Sequence, residues 1–302
     1  MEKLVTVLSF LFTMLYHISS GTLTAGIHIL GAELQSITNK DGLEYLWQAD
    51  ARVWPRHAPV LFPIVGRLKE NRFLYEGRSY ELGQHGFARD LPFALAEQGP
   101  DFIVFELQAS PETQKSYPFD FVFRIAYRIE HNRLTCTYTV LNPSQQPLLF
   151  SVGAHPGFNC PLLPGESFED YYLEFETEEL YCTELDNGLR SQARQRLPLG
   201  SDKKLDLKSS LFDKDALVFE EGQINRVSLC SSRSAHKITL ESKGWPYFGI
   251  WTKKDCRNFL CLEPWYGIAD RGDTSGELLQ KEGIMPLEPG REFSCSYSVT
   301  FA

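Results

Sequence analysis

Short apolar runs separated by turn residues recur along the whole chain, and no long segment keeps the 3.6-residue period of a helix. The clearest runs are Phe102–Gln108, Phe121–Ile129 and Arg133–Leu141, of which the last two alternate apolar and polar residues strictly. These two runs join across His131 and Asn132, a two-residue connection typical of a β-hairpin. The pattern predicts an all-β protein, built as a large antiparallel β-sandwich or a barrel.

Two segments depart from this regular strand pattern. Ser110, Pro111 and Glu112 combine an N-cap residue, a proline in the first turn and an early acid, so we expect one short helix there. The stretch Phe168–Asp215 is charged and irregular, and it predicts long loops with short strands.

The length and composition fit one large all-β domain. The chain has 302 residues, 43% of them hydrophobic, with no linker, low-complexity tract or internal repeat. We therefore expect residues 14–302 to form a single domain and residues 1–13 to be an upstream extension, with Met14 as the natural start. The alternative is that Leu4–Tyr16 is the apolar region of a signal peptide, in which case the protein is exported.

The net charge and the cysteine spacing limit the expected binding partners and the expected cellular compartment. The net charge is -9 and no basic tract is visible, which excludes nucleic acid and anionic membranes as expected partners. The seven cysteines are scattered and form no CxxC pair, which favours buried free thiols in a reducing cytoplasm and argues against zinc. Without a glycine-rich nucleotide loop or metal-ligand spacing, we expect no cofactor and no metal. A monomer and a homodimer both remain open.

A glutamate near the C-terminus is the first candidate for chemistry. The apolar run Phe259–Leu262 predicts a buried strand that delivers Glu263 and ends at Pro264, because proline cannot donate to a continuing ladder. Trp265 and Tyr266 follow, so the carboxylate is partly removed from water, which raises a carboxyl pKa toward the range of a general base. A structural glutamate that accepts backbone hydrogen bonds or pairs with an arginine is equally compatible with this stretch.

Three more polar residues lie in predicted loops after strand-like runs: Arg67, His85 and His155. Loops on a rigid β scaffold are common places for functional residues. Taken singly, a histidine in such a loop is more often structural, and a lone arginine is usually a surface residue. The spacing along the chain does not show that these residues converge with Glu263.

Four motifs in one order connect the chain to a known family. They are Ala58–Arg67 (APVLFPIVGR, with Asn71 and Arg72 shortly after), His85–Arg89 (HGFAR), Val152–Asn159 (VGAHPGFN) and Leu262–Asp270 (LEPWYGIAD). Each motif is weak alone, but four in this order over one all-β chain are specific. With them the chain resembles the aldose 1-epimerases, or mutarotases, and most closely their LacX-like branch, from about Met14 to Phe301.

The resemblance implies a large antiparallel β-sandwich of the galactose mutarotase type, with an open cleft across one sheet. It implies that Glu263 is the general base and His155 the general acid. Arg67 is then expected to bind sugar hydroxyls, and His85 to bind the sugar near its ring oxygen.

One expected family feature is missing from the sequence motifs. Sugar-specific mutarotases place an aspartate in the cleft, and the matching region near Trp245–Thr252 offers Trp251 instead. Trp54, Phe158, Trp251 and Trp265 are candidates for an apolar platform under a sugar ring, with core packing as the alternative, which we favour for Trp54 and Phe158. The identity of the sugar therefore stays open.

The chemistry that the resemblance implies needs only proton transfers. Interconverting α and β anomers opens a hemiacetal: one group takes the proton of the C1 hydroxyl and another protonates the ring oxygen. A hexose 6-phosphate epimerase is one alternative, and it needs cations such as Arg56 and Arg89. A non-catalytic carbohydrate-binding protein is another, and it has no need for Glu263 and His155. A glycosidase usually needs two carboxylates, and only Glu263 has motif support.

Overall fold

The structure is a computed structural model that describes residues 15–302. The predictions for Met1–Thr13, for Met14 as the start and for most of the apolar run Leu4–Tyr16 lie outside the described residues. Over the described range, no helix is long and apolar enough to cross a membrane. Strands account for 48% of the structure and helical turns for 7%, which confirms the predicted all-β class.

Twenty-four strands follow one another along residues 15–302. The first twelve are β1 (Leu15–Ser19), β2 (Leu23–His28), β3 (Glu33–Asn39), β4 (Val60–Leu61), β5 (Arg72–Tyr75), β6 (Arg78–Glu81), β7 (Ala94–Gln98), β8 (Phe102–Gln108), β9 (Val122–Glu130), β10 (Arg133–Leu141), β11 (Leu148–Phe150) and β12 (Val152–Ala154). The others are β13 (Gly157–Asn159), β14 (Tyr171–Phe175), β15 (Tyr181–Asp186), β16 (Leu189–Arg196), β17 (Lys204–Asp206), β18 (Leu217–Phe219), β19 (Arg226–Ser231), β20 (Lys237–Glu241), β21 (Tyr247–Trp251), β22 (Phe259–Tyr266), β23 (Met285–Leu287) and β24 (Glu292–Phe301).

Helical structure is limited to single turns. The short helix α1 spans Thr113–Ser116, where the sequence predicts one short helix. Its N-cap residue is Glu112 rather than the predicted Ser110, whose Oγ still accepts a hydrogen bond from the backbone N–H of Thr113 at 3.2 Å. The described 3₁₀ turns lie at Lys69–Asn71, Ala88–Asp90, Phe168–Asp170, Ser209–Phe212 and Leu278–Gln280.

Two large antiparallel sheets make up the sandwich. One has nine strands in the order β17-β14-β19-β20-β24-β10-β9-β8-β7, and it contains the predicted hairpin of β9 and β10. The other has eight strands in the order β16-β15-β18-β21-β22-β12-β4, with β13 also paired to β22. Apolar residues of both sheets share one core, where Phe62 stacks on Phe123 with ring centroids 4.4 Å apart. The predicted large antiparallel β-sandwich is therefore confirmed.

Strand β22 continues through Pro264, so the prediction that the strand ends there is wrong. Pro264 pairs with Phe248 of β21, and the strand extends to Tyr266. The backbone N–H of Leu262 donates to the carbonyl of Pro156, and residues two apart on a strand face the same neighbour. The proline nitrogen therefore faces the end of β12, next to a break in the neighbouring strand, where a missing donor disturbs little of the ladder.

The charged stretch Phe168–Asp215 holds more regular structure than predicted. It contributes β14 and β17 to the nine-stranded sheet and the hairpin of β15 and β16 to the eight-stranded sheet. Strands β16 and β17 are edge strands, and most residues of β16 are exposed. Polar and charged side chains are tolerated on such an edge, so the alternation that reveals a buried strand is weak there.

Candidate active site

The strand register places His155 directly across from Glu263. Strands β12 and β13 both pair with β22, as Gly153 opposite Trp265 and Gly157 opposite Cys261. The two pairings share one register, and the two-residue break between β12 and β13 holds His155. Opposed residues of antiparallel strands project from the same face. The imidazole Nε2 of His155 accordingly lies 3.2 Å from a carboxylate oxygen of Glu263.

Strand β22 is buried on both faces, and Glu263 lies on the face away from the main core. Leu260 and Leu262 belong to the core between the sheets, whereas Cys261 packs in a separate aromatic cluster on the opposite face. The Glu263 side chain is 1% exposed. Neither of its carboxylate oxygens, nor Nδ1 of His155, has a hydrogen-bond partner in the part of the chain that the structure describes. Native proteins rarely leave buried polar atoms in this state, and a ligand site is one reason to do so.

Burial shifts the pKa values of the two groups in opposite directions. It raises the pKa of Glu263 well above its usual value, and the nearby carboxylate of Asp215 raises it further. Burial lowers the pKa of His155 to about 3, and the cationic Arg89 and Arg56 act in the same sense. Both shifts favour the uncharged forms, a carboxylic acid beside a neutral imidazole.

His85 lies beside this pair in a constrained backbone conformation. Its φ is 67°, and its backbone is held by hydrogen bonds from its own N–H to the Gly66 carbonyl and from the Phe62 N–H to its own carbonyl. The Gly66 N–H also donates to the His85 Nδ1 at 3.1 Å, so Nδ1 is an acceptor. The side-chain amide of Gln84 contacts the other ring nitrogen, Nε2, at 3.2 Å. Burial lowers the pKa of His85 well below its usual value, so the ring is neutral, 5.7 Å from the ring of His155.

A cavity of about 340 Å³ opens above these groups. Trp54 stacks on the His155 ring with centroids 5.1 Å apart, and Trp251 meets the same ring edge-on. Trp265 lies over two glycines: an added Cβ at Gly249 would lie 2.3 Å from its ring, and one at Gly153 would lie 2.7 Å from it. The indole N–H of Trp265 lines the cavity with no hydrogen-bond partner in the described chain.

The predicted site residues fall into two groups. Glu263, His155, His85, Trp251 and Arg89 all line this cavity, as do Trp54 and Trp265. The remaining predicted residue, Arg67, and the platform candidate Phe158 do not line it. Phe158 is buried in the core between the sheets. The Arg67 guanidinium donates to the backbone carbonyl of Asn187 and to the side-chain oxygen of Asn71.

Two cations lie in the cavity wall. Arg89 donates to the Gln84 carbonyl, and its buried Nε has no described hydrogen-bond partner but lies 3.8 Å from a carboxylate oxygen of Asp90. Burial, with Arg56 acting in the same sense, lowers the pKa of Arg89 to about 10. Arg56 pairs with Asp90 at 2.8 Å. The cavity wall therefore carries positive charge beside the two histidines.

Two polar residues of the cavity have no motif that marks them in the sequence. Arg190 is buried, pairs with Glu220 at 3.0 Å and Glu282 at 2.5 Å, and donates to the carbonyl of Ala269. Asp215 lines the cavity near Glu263, and burial raises its pKa. Both residues belong to the charged stretch whose strands the sequence pattern conceals.

The donor atoms around the pair also form a set that suits a metal ion. Ligand atoms of His155, Cys261 and Glu263 all lie within 4.8 Å of one another, and all three residues are buried. Cys261 and Glu263 share one face of β22 because they are two residues apart.

Comparison with known proteins defines the class first. Residues 14–284 match the family described as aldose 1-epimerase. The chromosomal and plasmid LacX proteins of Lactococcus lactis subsp. lactis are each 33% identical to this chain over 290 residues, covering 92% of this chain and 96% of LacX. The chain therefore belongs to the aldose 1-epimerase family, and this membership supports an isomerase of the epimerase type.

Two solved structures are similar over nearly the whole chain. A galactose mutarotase related enzyme from Lactobacillus acidophilus is 39% identical, with a TM-score of 0.92, over 96% of this chain and 97% of its own. A galactose mutarotase-like protein from Lactobacillus casei is 30% identical, with a TM-score of 0.90, over 96% and 100%. The LacX-like resemblance and the galactose mutarotase fold are both confirmed.

Proposed function

We propose that the protein interconverts the α and β anomers of an aldohexose by acid–base ring opening at Glu263 and His155. The observation that carries this proposal is the buried Glu263–His155 contact of 3.2 Å in the cavity wall, with both carboxylate oxygens free of other described partners. Hemiacetal opening needs one group that accepts a proton and one that gives a proton, and each well-placed group contributes on the order of 10²–10⁴-fold.

One proton shared by the pair satisfies both requirements. The opposed pKa shifts favour the proton on Glu263 and a neutral His155 while the cavity holds no sugar. For Glu263 to act as the base, the proton moves across the 3.2 Å contact to His155 when sugar hydroxyls enter. Glu263 then takes the proton of the C1 hydroxyl as His155 protonates the ring oxygen and the C1–O bond breaks. The aldehyde turns about C1–C2, and the reverse transfers close the other anomer.

The remaining cavity residues are assigned to binding the sugar. The neutral His85 is assigned to bind the sugar near its ring oxygen through Nε2, which requires the Gln84 amide to give up its 3.2 Å contact with that atom. Trp251 and Trp265 supply apolar faces beside the pair. Asp215 offers an acceptor for hydroxyls, the role for which no aspartate is marked in the sequence. Arg67 stays a predicted hydroxyl ligand, which requires its guanidinium to turn away from Asn187.

Nuclear magnetic resonance exchange between anomer signals tests the proposal. Purified protein and buffer alone are compared over a panel of free aldohexoses and their 6-phosphates. We expect exchange faster than the spontaneous rate for at least one sugar. No acceleration for any sugar on the panel would contradict the proposal and leave a non-catalytic carbohydrate-binding protein.

A 6-phosphorylated sugar is the second candidate substrate, because two guanidinium groups line the cavity and the Nε of Arg89 is buried without a described hydrogen-bond partner. A phosphate satisfies such donors with charge-assisted hydrogen bonds. If this candidate is right, Arg89→Met raises KM for the 6-phosphate far more than for the free sugar. An equal effect on both sugars would contradict it.

A further inference from the structure

The side chains of the proton-transfer pair, Glu263 and His155, converge with a third side chain, that of Cys261. Strand alternation puts Cys261 and Glu263 on one face of β22, and the shared register brings His155 across to them. Their ligand atoms lie within 4.8 Å of one another. The proposed proton transfers use the imidazole and the carboxylate but leave the thiol without a role.

The buried polar atoms at this point are unsatisfied. Both carboxylate oxygens of Glu263 and Nδ1 of His155 lack hydrogen-bond partners among residues 15–302, although all are buried. Buried polar atoms without hydrogen bonds cost free energy unless something binds them. The cavity of about 340 Å³ gives access, because His155 and Glu263 both line it.

The geometry points to a binding site for a thiophilic divalent cation such as Zn²⁺ at His155, Cys261 and Glu263. Zinc takes nitrogen, sulfur and oxygen ligands at about 2.0–2.3 Å in a tetrahedron, and three protein ligands leave its fourth position to water or a sugar hydroxyl. The thiol and any carboxylic acid release their protons to solvent when the metal binds. A thiolate in the set selects against Mg²⁺ and Ca²⁺, which prefer oxygen ligands.

The sequence argues against zinc because its cysteines are scattered and form no CxxC pair. This set uses only one cysteine, Cys261, with Glu263 beside it and His155 far away along the chain. Strand pairing between β22 and the β12–β13 break supplies the third ligand. The metal uses the same two groups that carry the proton in the proposed reaction. Bound Zn²⁺ therefore inhibits the enzyme reversibly, a consequence that rests on the proposed function, whereas the metal site itself does not.

Cobalt absorption tests the site without reference to activity. Co²⁺ is added to the full-length wild type, to Cys261→Ala and to the matched control Cys256→Ala, which alters a second buried thiol of the same aromatic cluster. We expect a thiolate-to-cobalt charge-transfer band in the wild type and in the control, and none in Cys261→Ala. Absence of the band in the wild type, or an equal band in Cys261→Ala, overturns the inference. Circular dichroism checks folding, and Cys261→Ser replaces the alanine variant if that one does not fold.

Inhibition gives the second readout. Zn²⁺ should slow anomer exchange in the wild type and EDTA should restore it, whereas Cys261→Ala should need at least roughly tenfold more Zn²⁺ for the same inhibition. Equal zinc sensitivity in both proteins overturns the inhibitory role. A cobalt band in a protein that exchanges no sugar leaves the metal site standing and removes the proposed function. Anomer exchange in a protein that gives no cobalt band would remove the metal site and leave the proposed function standing.

Discussion

Glu263 and His155 are kept in an environment that disfavours their charged forms. Burial raises the pKa of the carboxyl and lowers that of the imidazole, and apart from their mutual 3.2 Å contact the described protein offers no hydrogen bond to either carboxylate oxygen. Such an arrangement costs stability in the free protein, because buried polar groups without partners are destabilising. Residues kept at a cost to stability are common where proteins bind and react.

Replacing the carboxyl should stabilise the protein on the alkaline side. The raised pKa of Glu263 means that, between the unfolded and folded pKa values, the folded protein holds a proton that the unfolded chain has released. The free energy of unfolding therefore falls as pH rises through that window. We expect Glu263→Gln to match the wild type near pH 4 and to exceed it at alkaline pH by at least about 1 kcal/mol. Urea denaturation across pH measures this, and a difference that does not change with pH would contradict it.

His155 should make the free energy of unfolding fall toward acid pH, whereas Glu263 makes it fall toward alkaline pH. Its folded pKa of about 3 lies below the usual 6.5, so in that window the unfolded chain binds a proton that the folded protein does not. The free energy of unfolding falls as pH drops through the window, and His155→Asn should flatten this acid limb without changing the alkaline limb. The same urea titrations decide it. An acid limb as steep as in the wild type would show that His155 titrates normally when folded.

The sequence identified part of this cavity and missed part of it. The motifs marked Glu263, His155 and His85, which the structure brings together. Arg190 and Asp215 carry no such mark, because a charged residue in a charged stretch looks like surface until the fold buries it, as with Arg190, or places it at the cavity, as with Asp215. Their placement depends on strand pairings over long sequence distances, which a local pattern does not contain.

At the scale of elements, the site depends on one central strand and one interrupted neighbour. The sequence predicted a buried strand before Glu263 and a strand before His155, and both exist. It did not predict the register that opposes the two residues, because β12 and β22 are about a hundred residues apart and meet only through the folded sheet. The sequence also did not predict that β22 continues through Pro264. The proline is tolerated there because it lies beside the break between β12 and β13, which local sequence around Pro264 does not reveal.

Trp265 should be sensitive to the residues beneath it. An added Cβ at Gly249 would lie 2.3 Å from its indole ring, so Gly249→Ala forces the ring or the strand to move. We expect a loss of about 1–3 kcal/mol in unfolding free energy and a lower rate of anomer exchange. Gly272→Ala is the matched control, because no atom lies within 4 Å of the added Cβ and its φ is not positive. Equal stability of the two variants would contradict the packing that we describe.

At the scale of the whole molecule, the sandwich buries most of its cysteines, and none of them forms a disulfide. All seven are free thiols, six of them buried, as the scattered spacing predicted. Burial raises the pKa of Cys160 and Cys261 well above the usual thiol value, and that of Cys136 to about 12. The overall class was predictable because alternation and turn residues are local signals, whereas the edge strands of Phe168–Asp215 were not, because their exposed positions tolerate charge.

Thiol titration should separate the folded from the unfolded protein. The thiolate is the reactive form, so buried thiols with raised pKa values react slowly. We expect at most one thiol, that of the half-buried Cys295, to react quickly with a disulfide reagent in the native protein. All seven should react in denaturant without a reductant. Several fast thiols in the native protein, or fewer than seven after unfolding, would contradict the described burial or the free state.

The measurement that tests the central claim most directly is anomer exchange at saturating sugar in four proteins: wild type, Glu263→Gln, His155→Asn and the double variant. If one proton is shared across the 3.2 Å contact, each single change should lower kcat by roughly 10²-fold or more. The double variant should then be little worse than the worse single variant, because groups that act as a unit are not additive. Wild-type exchange that persists in Glu263→Gln, or losses that simply multiply in the double variant, would contradict the shared proton.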